Sequence, residues 1–218
     1  MAAIVSLGNG RRTSESTVSN PSFDYTCHAG SNRKMIAIIM IEDSDSITSV
    51  TYNSVSLEYI DAAFAASTKA YAYYLDEEDF PLTPGSYTVQ ANSSGSVRAA
   101  MTVIELENCR QGAVDSDDPS TISASFLIGS VNVANGAWIV AGSACEALVT
   151  ITQTTGTTIY STDMGSQFEY CFGYEIQTSA GTGTVRHNIS VTPFEFCMMA
   201  VAVQPIDASR ALFFGAGF

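Results

Sequence analysis

Short apolar and alternating segments recur along most of the chain and predict an all-β protein. Residues 35–41 are continuously apolar, as expected for a central strand covered on both faces. Residues 168–176 alternate between aromatic or apolar positions and Glu, Cys or Gly, which predicts a strand with one apolar face. Asn53-Ser54 separates two alternating segments and predicts a two-residue hairpin. Further strands are expected at Ile47–Tyr52, Val55–Ile60, Lys69–Leu75, Tyr87–Ala91, Val97–Leu106, Ile122–Val133, Trp138–Ala141, Ala147–Gln153, Thr157–Thr162, Val185–Thr192 and Phe194–Val203.

The segments between and around these strands predict the organisation of the chain. Residues 1–34 are rich in Ser, Thr, Asn and Gly and are interpreted as an N-terminal arm. Residues 35–206 are expected to form the β-sandwich domain, with an Ala-rich loop at 61–68 and a linker at 107–120. Residues 207–218 form an apolar C-terminal tail in this interpretation.

The two halves of the sequence echo each other. Residues 70–74 (Ala-Tyr-Ala-Tyr-Tyr) resemble residues 170–174, and residues 98–103 resemble residues 197–203, although any two β segments share such features. About a dozen short strands at this spacing favour a two-sheet antiparallel β-sandwich. A jelly-roll-like fold, in which two sets of strands fold over each other, would explain the echo.

The charge of the chain is acidic and unevenly distributed. The formal net charge is −13, which disfavours binding to nucleic acid. Residues 1–34 carry four basic and two acidic residues, a net of +2, and the rest carries five basic and 20 acidic residues, a net of −15. A basic arm on an acidic body would suit an acidic partner, although a solvated basic tail explains the same pattern.

The five cysteines are widely spaced and odd in number, which predicts reduced thiols rather than a disulfide framework or a zinc site. The first residues lack the pattern of a signal peptide, and no stretch is long and apolar enough to span a membrane. We therefore expect a protein made in a host cytoplasm and no membrane partner.

Residues suited to catalysis are few, and we expect no enzyme activity and no cofactor. His28 adjoins Cys27, and neighbours on a strand point to opposite faces, so they make a poor nucleophile–base pair. His187 lies in phase with the apolar residues of its strand and is interpreted as a hydrogen-bonded core residue. The acidic turns at 43–45 and 115–118 offer calcium ligands but depart from the EF-hand pattern, and Asp is also an ordinary turn former. No metal site is predicted, and a glycosidase with a carboxylate pair stays an open alternative.

Residues 33–106 resemble a β-sandwich domain found in structural proteins of phages and prophages. The features that carry the resemblance are an Arg-led apolar strand (33–40), Ser-Val-Thr-Tyr (49–52), a Tyr-containing strand (71–75), Pro-Gly-Ser-Tyr-Thr-Val (84–89) and Ser-Gly-Ser-Val (94–97). The second half of the chain is similar to the closing strands of that family. One departure is Asn53-Ser54, where the family often has Gly-Gly. The resemblance implies multimeric virion parts such as capsid decoration proteins, spikes and tail fibres, and it implies no catalytic residues.

The resulting hypothesis is a bacteriophage capsid decoration (cement) protein, located in the virion. A tail-fibre or spike domain that binds a host glycan is the alternative. We expect a homo-oligomer, with a trimer favoured, that contacts the major capsid protein or other virion proteins. The residues predicted to bind partners are the apolar and basic positions of the arm and the rings of the tail: Ile4, Val5, Leu7, Arg11, Arg12, Phe23, Tyr25, Phe213, Phe214 and Phe218.

Overall fold

The computed structural model describes residues 2–121, 124–146, 149–163, 168–190 and 195–206, and it confirms an all-β antiparallel sandwich protein. The strands of the first half are β1 (Val5–Ser19), β2 (Ser22–Cys27), β3 (Lys34–Glu42), β4 (Ile47–Tyr52), β5 (Val55–Ser56), β6 (Glu58–Ala65), β7 (Thr68–Asp76), β8 (Gly85–Ser93) and β9 (Ser96–Glu107), with a 3-10 helix at Glu77–Asp79. Those of the second half are β10 (Asp115–Asp117), β11 (Ser120–Thr121), β12 (Phe126–Val133), β13 (Trp138–Glu146), β14 (Ile151–Gln153), β15 (Thr157–Asp163), β16 (Phe168–Ile176), β17 (Gly181–Ile189) and β18 (Phe196–Val203).

The first half pairs its strands in a nested order. Strand β1 pairs with β9, β2 with β8, β3 with β7, and β4 with β5, all antiparallel. The nesting places β1-β9-β3-β7-β6 in one sheet (sheet I) and β2-β8-β4-β5 in a second (sheet II). A long hairpin folded over on itself in this way is the jelly-roll arrangement. We call residues 5–107 the first jelly roll.

The second half repeats this order. Strand β10 pairs with β18, β12 with β17, and β13 with β16. Sheet III has the order β10-β18-β13-β16-β15, and sheet IV has the order β12-β17-β14. Strands β10 and β11 together take the place of β1, the other strands each take the place of one in the first half, and β5 has no counterpart among the described strands. We call residues 115–203 the second jelly roll. The predicted two-sheet sandwich therefore occurs twice, and the sequence echoes at 70–74 and 170–174 fall on the corresponding strands β7 and β16.

The four sheets stack in the order II–I–III–IV around three apolar cores. One core lies between sheets II and I, a second between sheets I and III, and a third between sheets III and IV. Sheets I and III are covered on both faces, which explains the continuous apolar runs of β3 and β18, because every side chain there meets another layer. The outer strand β12 instead alternates strictly between buried and exposed residues.

Sheets I and III meet through corresponding surfaces, as the two subunits of a symmetric dimer do. Strand β3 packs on β13, its counterpart, and β6 contacts β10 while β1 reaches β15. Aligned on their ends, the nine-residue strands β3 and β13 place Ile38 and Gly142 in equivalent positions, and these two residues touch. A Cβ atom at Gly142 would lie 2.7 Å from Cγ2 of Ile38, so the contact requires a glycine. The pseudo-symmetry is broken at its centre, where a large side chain fills the space left by the glycine.

The N-terminal segment differs from the predicted arm. Residues 5–19 form the edge strand β1 of sheet I, and residues 22–27 form the edge strand β2 of sheet II. The small residues of β1 have a packing role: a Cβ atom at Gly8 would lie 2.6 Å from the His28 ring, and one at Gly10 would lie 2.8 Å from the Tyr25 ring. The many small and polar residues at 1–34 suggested a flexible arm. They instead suit an edge strand whose glycines leave room for aromatic side chains to pack across it.

Three further details concern the connections. The two-residue hairpin is confirmed, with Asn53 and Ser54 both at positive φ (51° and 67°) as a tight hairpin requires. Residues 61–65, predicted as loop, continue strand β6, because Ala side chains fit closely between packed sheets. Part of the predicted linker forms β10 and β11, which pair with β18.

In the described part of the chain, no helix has the length and apolar character needed to cross a membrane.

Candidate functional site

The apolar residues predicted to bind partners at the N-terminus lie in different environments. Ile4 is 4% exposed and belongs to the core between sheets I and III. Val5 is 45% exposed and Leu7 is half-buried. Phe23 packs against the core between sheets II and I, and Tyr25 is buried in that core. Val5, Leu7 and Phe23 are therefore the apolar members of this set that keep accessible surface of their own. The predicted tail residues Phe213, Phe214 and Phe218 lie outside the described residues.

The two arginines of β1 make contacts within the chain. Arg11 donates a hydrogen bond of 3.2 Å to the Tyr170 hydroxyl, and its guanidinium lies 4.4 Å from the centre of the Tyr160 ring. Arg12 donates to the backbone carbonyl of Ser22. Arg11 thus joins the two jelly rolls, because its contacts lie on β15 and β16. Within the chain, these arginines contact aromatic, hydroxyl and carbonyl groups, and their contact with acidic groups of a partner stays a prediction.

A polar network surrounds the buried carboxylate of Glu105 on β9. The Tyr25 hydroxyl donates to Glu105 at 3.1 Å, and the backbone N–H and ring Nδ1 of His28 lie 3.2 and 2.9 Å from the same oxygen. The Arg33 guanidinium lies 3.7 Å from the other oxygen. Glu105 has no exposed side-chain surface, whereas the His28 side chain is 39% exposed. Burial, followed by the charge and hydrogen bond of Glu105, raises the pKa of Tyr25, so the phenol stays a donor.

Arg33 extends this network to the surface. It pairs with Glu77 at 2.8 Å and donates to the His28 carbonyl at 2.6 Å. Hydrogen bonding to Glu77 raises the pKa of Arg33, and the same contacts lower the pKa of Glu77 despite its partial burial. Burial and then the charge of Glu105 raise the pKa of Cys27, which keeps the thiol protonated although Arg33 is near. The network therefore fixes the loop between β2 and β3 and does not activate the cysteine as a nucleophile.

The second jelly roll contains a smaller and fully enclosed polar group. His187 is completely buried, with Nδ1 2.6 Å from the Ser143 hydroxyl and Nε2 3.3 Å from Oε1 of Gln153. Burial lowers the pKa of His187 to about 3, so the ring is neutral at ordinary pH. The interpretation of His187 as a hydrogen-bonded core residue is confirmed. Ser143 is buried as well, so this pair has no access to a substrate from solvent.

The acidic turns take part in backbone hydrogen bonding. Asp43 accepts bonds from the Asp45 N–H and the Ser44 hydroxyl, each at 3.2 Å. Asp115 and Asp117 accept bonds of 2.7 Å from backbone N–H groups of β12. These are the local bonds that explain Asp in turns and at strand edges. Among the described residues, no group of three or more His, Cys, Asp or Glu side chains is arranged to hold a metal ion.

All five cysteines are buried and unpaired. Burial raises the pKa of Cys109, Cys145 and Cys171 to about 12, and the pKa of Cys197 is also raised. These thiols stay protonated and act as small apolar side chains.

An exposed aromatic surface lies on β6, the edge strand of sheet I. Tyr59 and Phe64 are 57% and 54% exposed and rest edge-to-face on Tyr73 and Tyr71, which are buried. We call these four residues, together with Ala62 between them, the β6 aromatic surface. Sequence reasoning missed it because residues 61–68 were predicted as a loop, which hid that Phe64 shares a strand with Tyr59.

A groove of about 940 Å³ lies where the two jelly rolls are joined. Its walls come from residues 109–111, 113–115, 132–134 and 204–206, together with Asn32 and Ala180. The N–H of Ile206, the last described residue, donates to the Asn108 carbonyl at 3.1 Å beside this groove. Apolar residues such as Val114, Val133 and Pro205 alternate with amide and charged side chains along the walls, so the groove has mixed character.

No protein-family model matches the chain, and no curated protein matches it either.

Proposed function

We propose that the protein is a structural component of a bacteriophage particle, a decoration (cement) protein on the outer shell of the capsid. The observation that carries this proposal is the doubled jelly roll, in which two nested sandwiches share one apolar interface. Jelly rolls are a recurrent architecture of virus capsid and lectin domains. The pattern at residues 33–106 that resembles phage structural domains falls within the first jelly roll, on strands β3 to β9.

The charge of the molecule supports a surface role on the particle. With a net charge of −13, the protein is repelled by packaged nucleic acid and favours the outside of a shell. The four-layer stack supplies a stable body. The exposed Val5, the half-buried Leu7 and the groove supply surfaces for contact with a shell protein or a second copy. We propose the major capsid protein as the partner and a homo-oligomer, with a trimer favoured, as the assembled form.

The integration of β1 and β2 into the sheets changes how attachment is proposed to occur. Residues 5–27 are edge strands of the sheets rather than a detached arm. Attachment to the shell is therefore proposed to depend on the exposed side of β1 and on the groove beside Ile206. Substitution at this edge is therefore a sharper test than deletion, because deletion removes an entire edge strand of sheet I.

The test is where the protein resides in purified particles. We expect a copy number that is a simple multiple or fraction of that of the major capsid protein, and density on the shell in a cryo-electron-microscopy reconstruction. Rebinding of the purified protein to stripped shells should be weakened by Val5→Asp and unaffected by Leu82→Asp, a change at a fully exposed apolar residue in the loop before β8. Absence from the particle, or presence at the tail tip alone, would reject the decoration role.

A further inference from the structure

Both lysines of the chain are buried, although lysine is mostly a surface residue. Lys34, at the start of β3, has no exposed side-chain surface, and Lys69 on β7 is 8% exposed. Lys69 donates hydrogen bonds to the backbone carbonyls of Ser44 and Asp45. Lys34 instead forms an ion pair with Asp76, which lies directly opposite it at the end of β7. The two buried lysines therefore differ in the chemistry of their partners, since Lys34 contacts a carboxyl group.

One backbone residue, Gly112, contacts both members of the Lys34–Asp76 pair. Its carbonyl accepts a hydrogen bond of 2.9 Å from Nζ of Lys34, and its N–H donates one of 2.5 Å to Oδ2 of Asp76. Nζ also pairs with the other carboxylate oxygen, Oδ1. The Tyr74 ring covers the ammonium group, with its centre 4.3 Å from Nζ. The amine and the carboxyl group are therefore held together in one orientation, beside a hydrogen-bond donor and an acceptor.

Burial makes the charged form of this pair costly. Removing an ammonium and a carboxylate from water carries a large desolvation cost, which their mutual attraction offsets only in part. Burial lowers the pKa of Lys34, although the hydrogen bond and the charge of Asp76 act in the opposite direction. A proton can pass from Nζ to Oδ1, which leaves an amine beside a carboxylic acid. A desolvated lysine amine is a nucleophile, and holding it next to its reaction partner greatly raises the effective concentration.

We propose that the side chains of Lys34 and Asp76 join covalently through an amide (isopeptide) bond. Nζ of Lys34 attacks Cγ of Asp76, so that the Nζ–Cγ bond forms and the Cγ–Oδ1 bond breaks. Oδ1 leaves as one water molecule with the carboxyl proton and one proton from Nζ, and the reaction needs no oxidant or other co-reactant. The Gly112 N–H stabilises the negative charge that develops on Oδ2, which stays as the amide carbonyl. The Asp76 side chain is 15% exposed, which gives the water a route to solvent.

The bond ties the start of β3 to the end of β7 within sheet I. It replaces two buried charges with a neutral amide whose N–H and C=O match the carbonyl and N–H of Gly112. It also closes a covalent loop over residues 34–76, which restricts the unfolded chain and stabilises the folded one. This modification goes beyond the proposed capsid role and does not depend on it.

The first test is the intact mass of the purified full chain under denaturing conditions, once the folded protein has reached a constant mass. We expect a mass lower than that of the sequence by one water molecule. Lys34→Arg should have its full sequence mass, because the guanidinium stays protonated and is not a nucleophile. Asp76→Ala should have its full mass as well. Lys69→Arg is the matched control, a change at the other buried lysine, and it should keep the loss of water.

Tryptic digestion locates the bond. Trypsin cleaves after Arg33, Lys34, Lys69 and Arg98, and an amide at Lys34 blocks cleavage there. We therefore expect a branched peptide in which residues 34–69 are joined to residues 70–98. A loss of water confined to residues 70–98 would identify a cyclic imide at an Asp residue and would overturn the proposal.

Thermal unfolding measures what the bond contributes. Lys34→Arg keeps the positive charge but loses the cross-link, so its thermal midpoint should fall by roughly 10 °C. A wild-type chain with its full sequence mass would overturn the proposal whatever the stability of the variants, because loss of an ion pair also destabilises. Neither mass nor digestion depends on where the protein lies in a particle, so failure here is distinguishable from failure of the capsid role.

Discussion

The two jelly rolls have the same strand order but enclose different polar groups. Aligned on the strand ends, Glu105 in the first corresponds to Ala202 in the second, and Ile39 corresponds to Ser143. The first buries a charged carboxylate, and the second buries a neutral Ser–His pair. The difference follows from access to partners: the network of Glu105 reaches the surface through His28 and Arg33, whereas His187 is enclosed between sheets III and IV. One scaffold therefore accommodates a buried charge only where loop residues can supply compensating donors.

The largest effect is expected from Glu105→Ala. The second jelly roll has alanine at the corresponding position and packs well, but in the first the Tyr25 hydroxyl and the His28 N–H would lose their acceptor. We expect a loss of about 3 kcal/mol in the free energy of unfolding, measured by urea denaturation. Glu105→Gln keeps the shape and one acceptor and should lose less. Equal stability of Glu105→Ala and wild type would remove the distinction between the two halves.

The second effect concerns the centre of the pseudo-symmetric interface. Gly142→Val would place atoms against Ile38 and should destabilise the protein by about 1–3 kcal/mol. Ile38→Ala on its own creates a cavity and also destabilises. In the double variant the two changes compensate in volume, so a double-mutant cycle should show favourable coupling between the sites. Additive losses would indicate that the sheets shift apart rather than interlock.

A third effect, of similar or smaller size, is the pH dependence contributed by His187. Its pKa is about 3 in the folded protein and near 6.5 when unfolded, so the unfolded state binds the additional proton between these values. Stability contributed by the neutral ring is complete above pH 6.5 and is lost as pH falls, by about 1.4 kcal/mol per pH unit within the window. His187→Gln should remove this slope between pH 6 and 5, measured as unfolding free energy at each pH. His28→Gln, a change in the partly exposed histidine, serves as the control, and an identical slope in both variants would contradict the assignment.

The smallest effect is expected from Arg11→Ala. This residue joins the jelly rolls through one hydrogen bond and one cation–π contact near the surface. We expect a loss of about 0.5–1 kcal/mol, detectable as a shift in the urea midpoint. Arg11→Lys keeps the charge but not the planar group and should recover part of the loss. Full recovery by lysine would show that charge alone matters here.

The sequence predicted the strands in which the order of apolar and polar residues follows which side chains are buried. It failed for strands and contacts in which that order does not reflect burial. Residues 35–41 were predicted as a strand covered on both faces, and the structure confirms this because sheet I lies between two other sheets. The polar strand β1 was not predicted. Its glycines leave room for aromatic side chains that pack across the strand, and its outward-facing side chains are polar because they are solvated, so no apolar pattern marks it as a strand. The Glu105 network was also missed, because its members are up to 80 residues apart in sequence and no local spacing connects them. His187 was placed correctly in a core because its strand alternates cleanly.

The Ile38–Gly142 contact also bears on the order in which the protein is made and folded. The first jelly roll is complete once Glu107 has been synthesised, but the inner face of sheet I stays uncovered until the remaining strands follow. At ordinary rates of translation, the further hundred or so residues take roughly 5–20 s, during which an apolar sheet face is open to nascent neighbours. Two such intermediates that met symmetrically through this face would bring Ile38 against Ile38, where the native partner offers a glycine. The difference between Ile38 and Gly142 therefore favours packing of the first jelly roll on the second jelly roll of the same chain. It disfavours dimerisation of two first jelly rolls from incomplete chains.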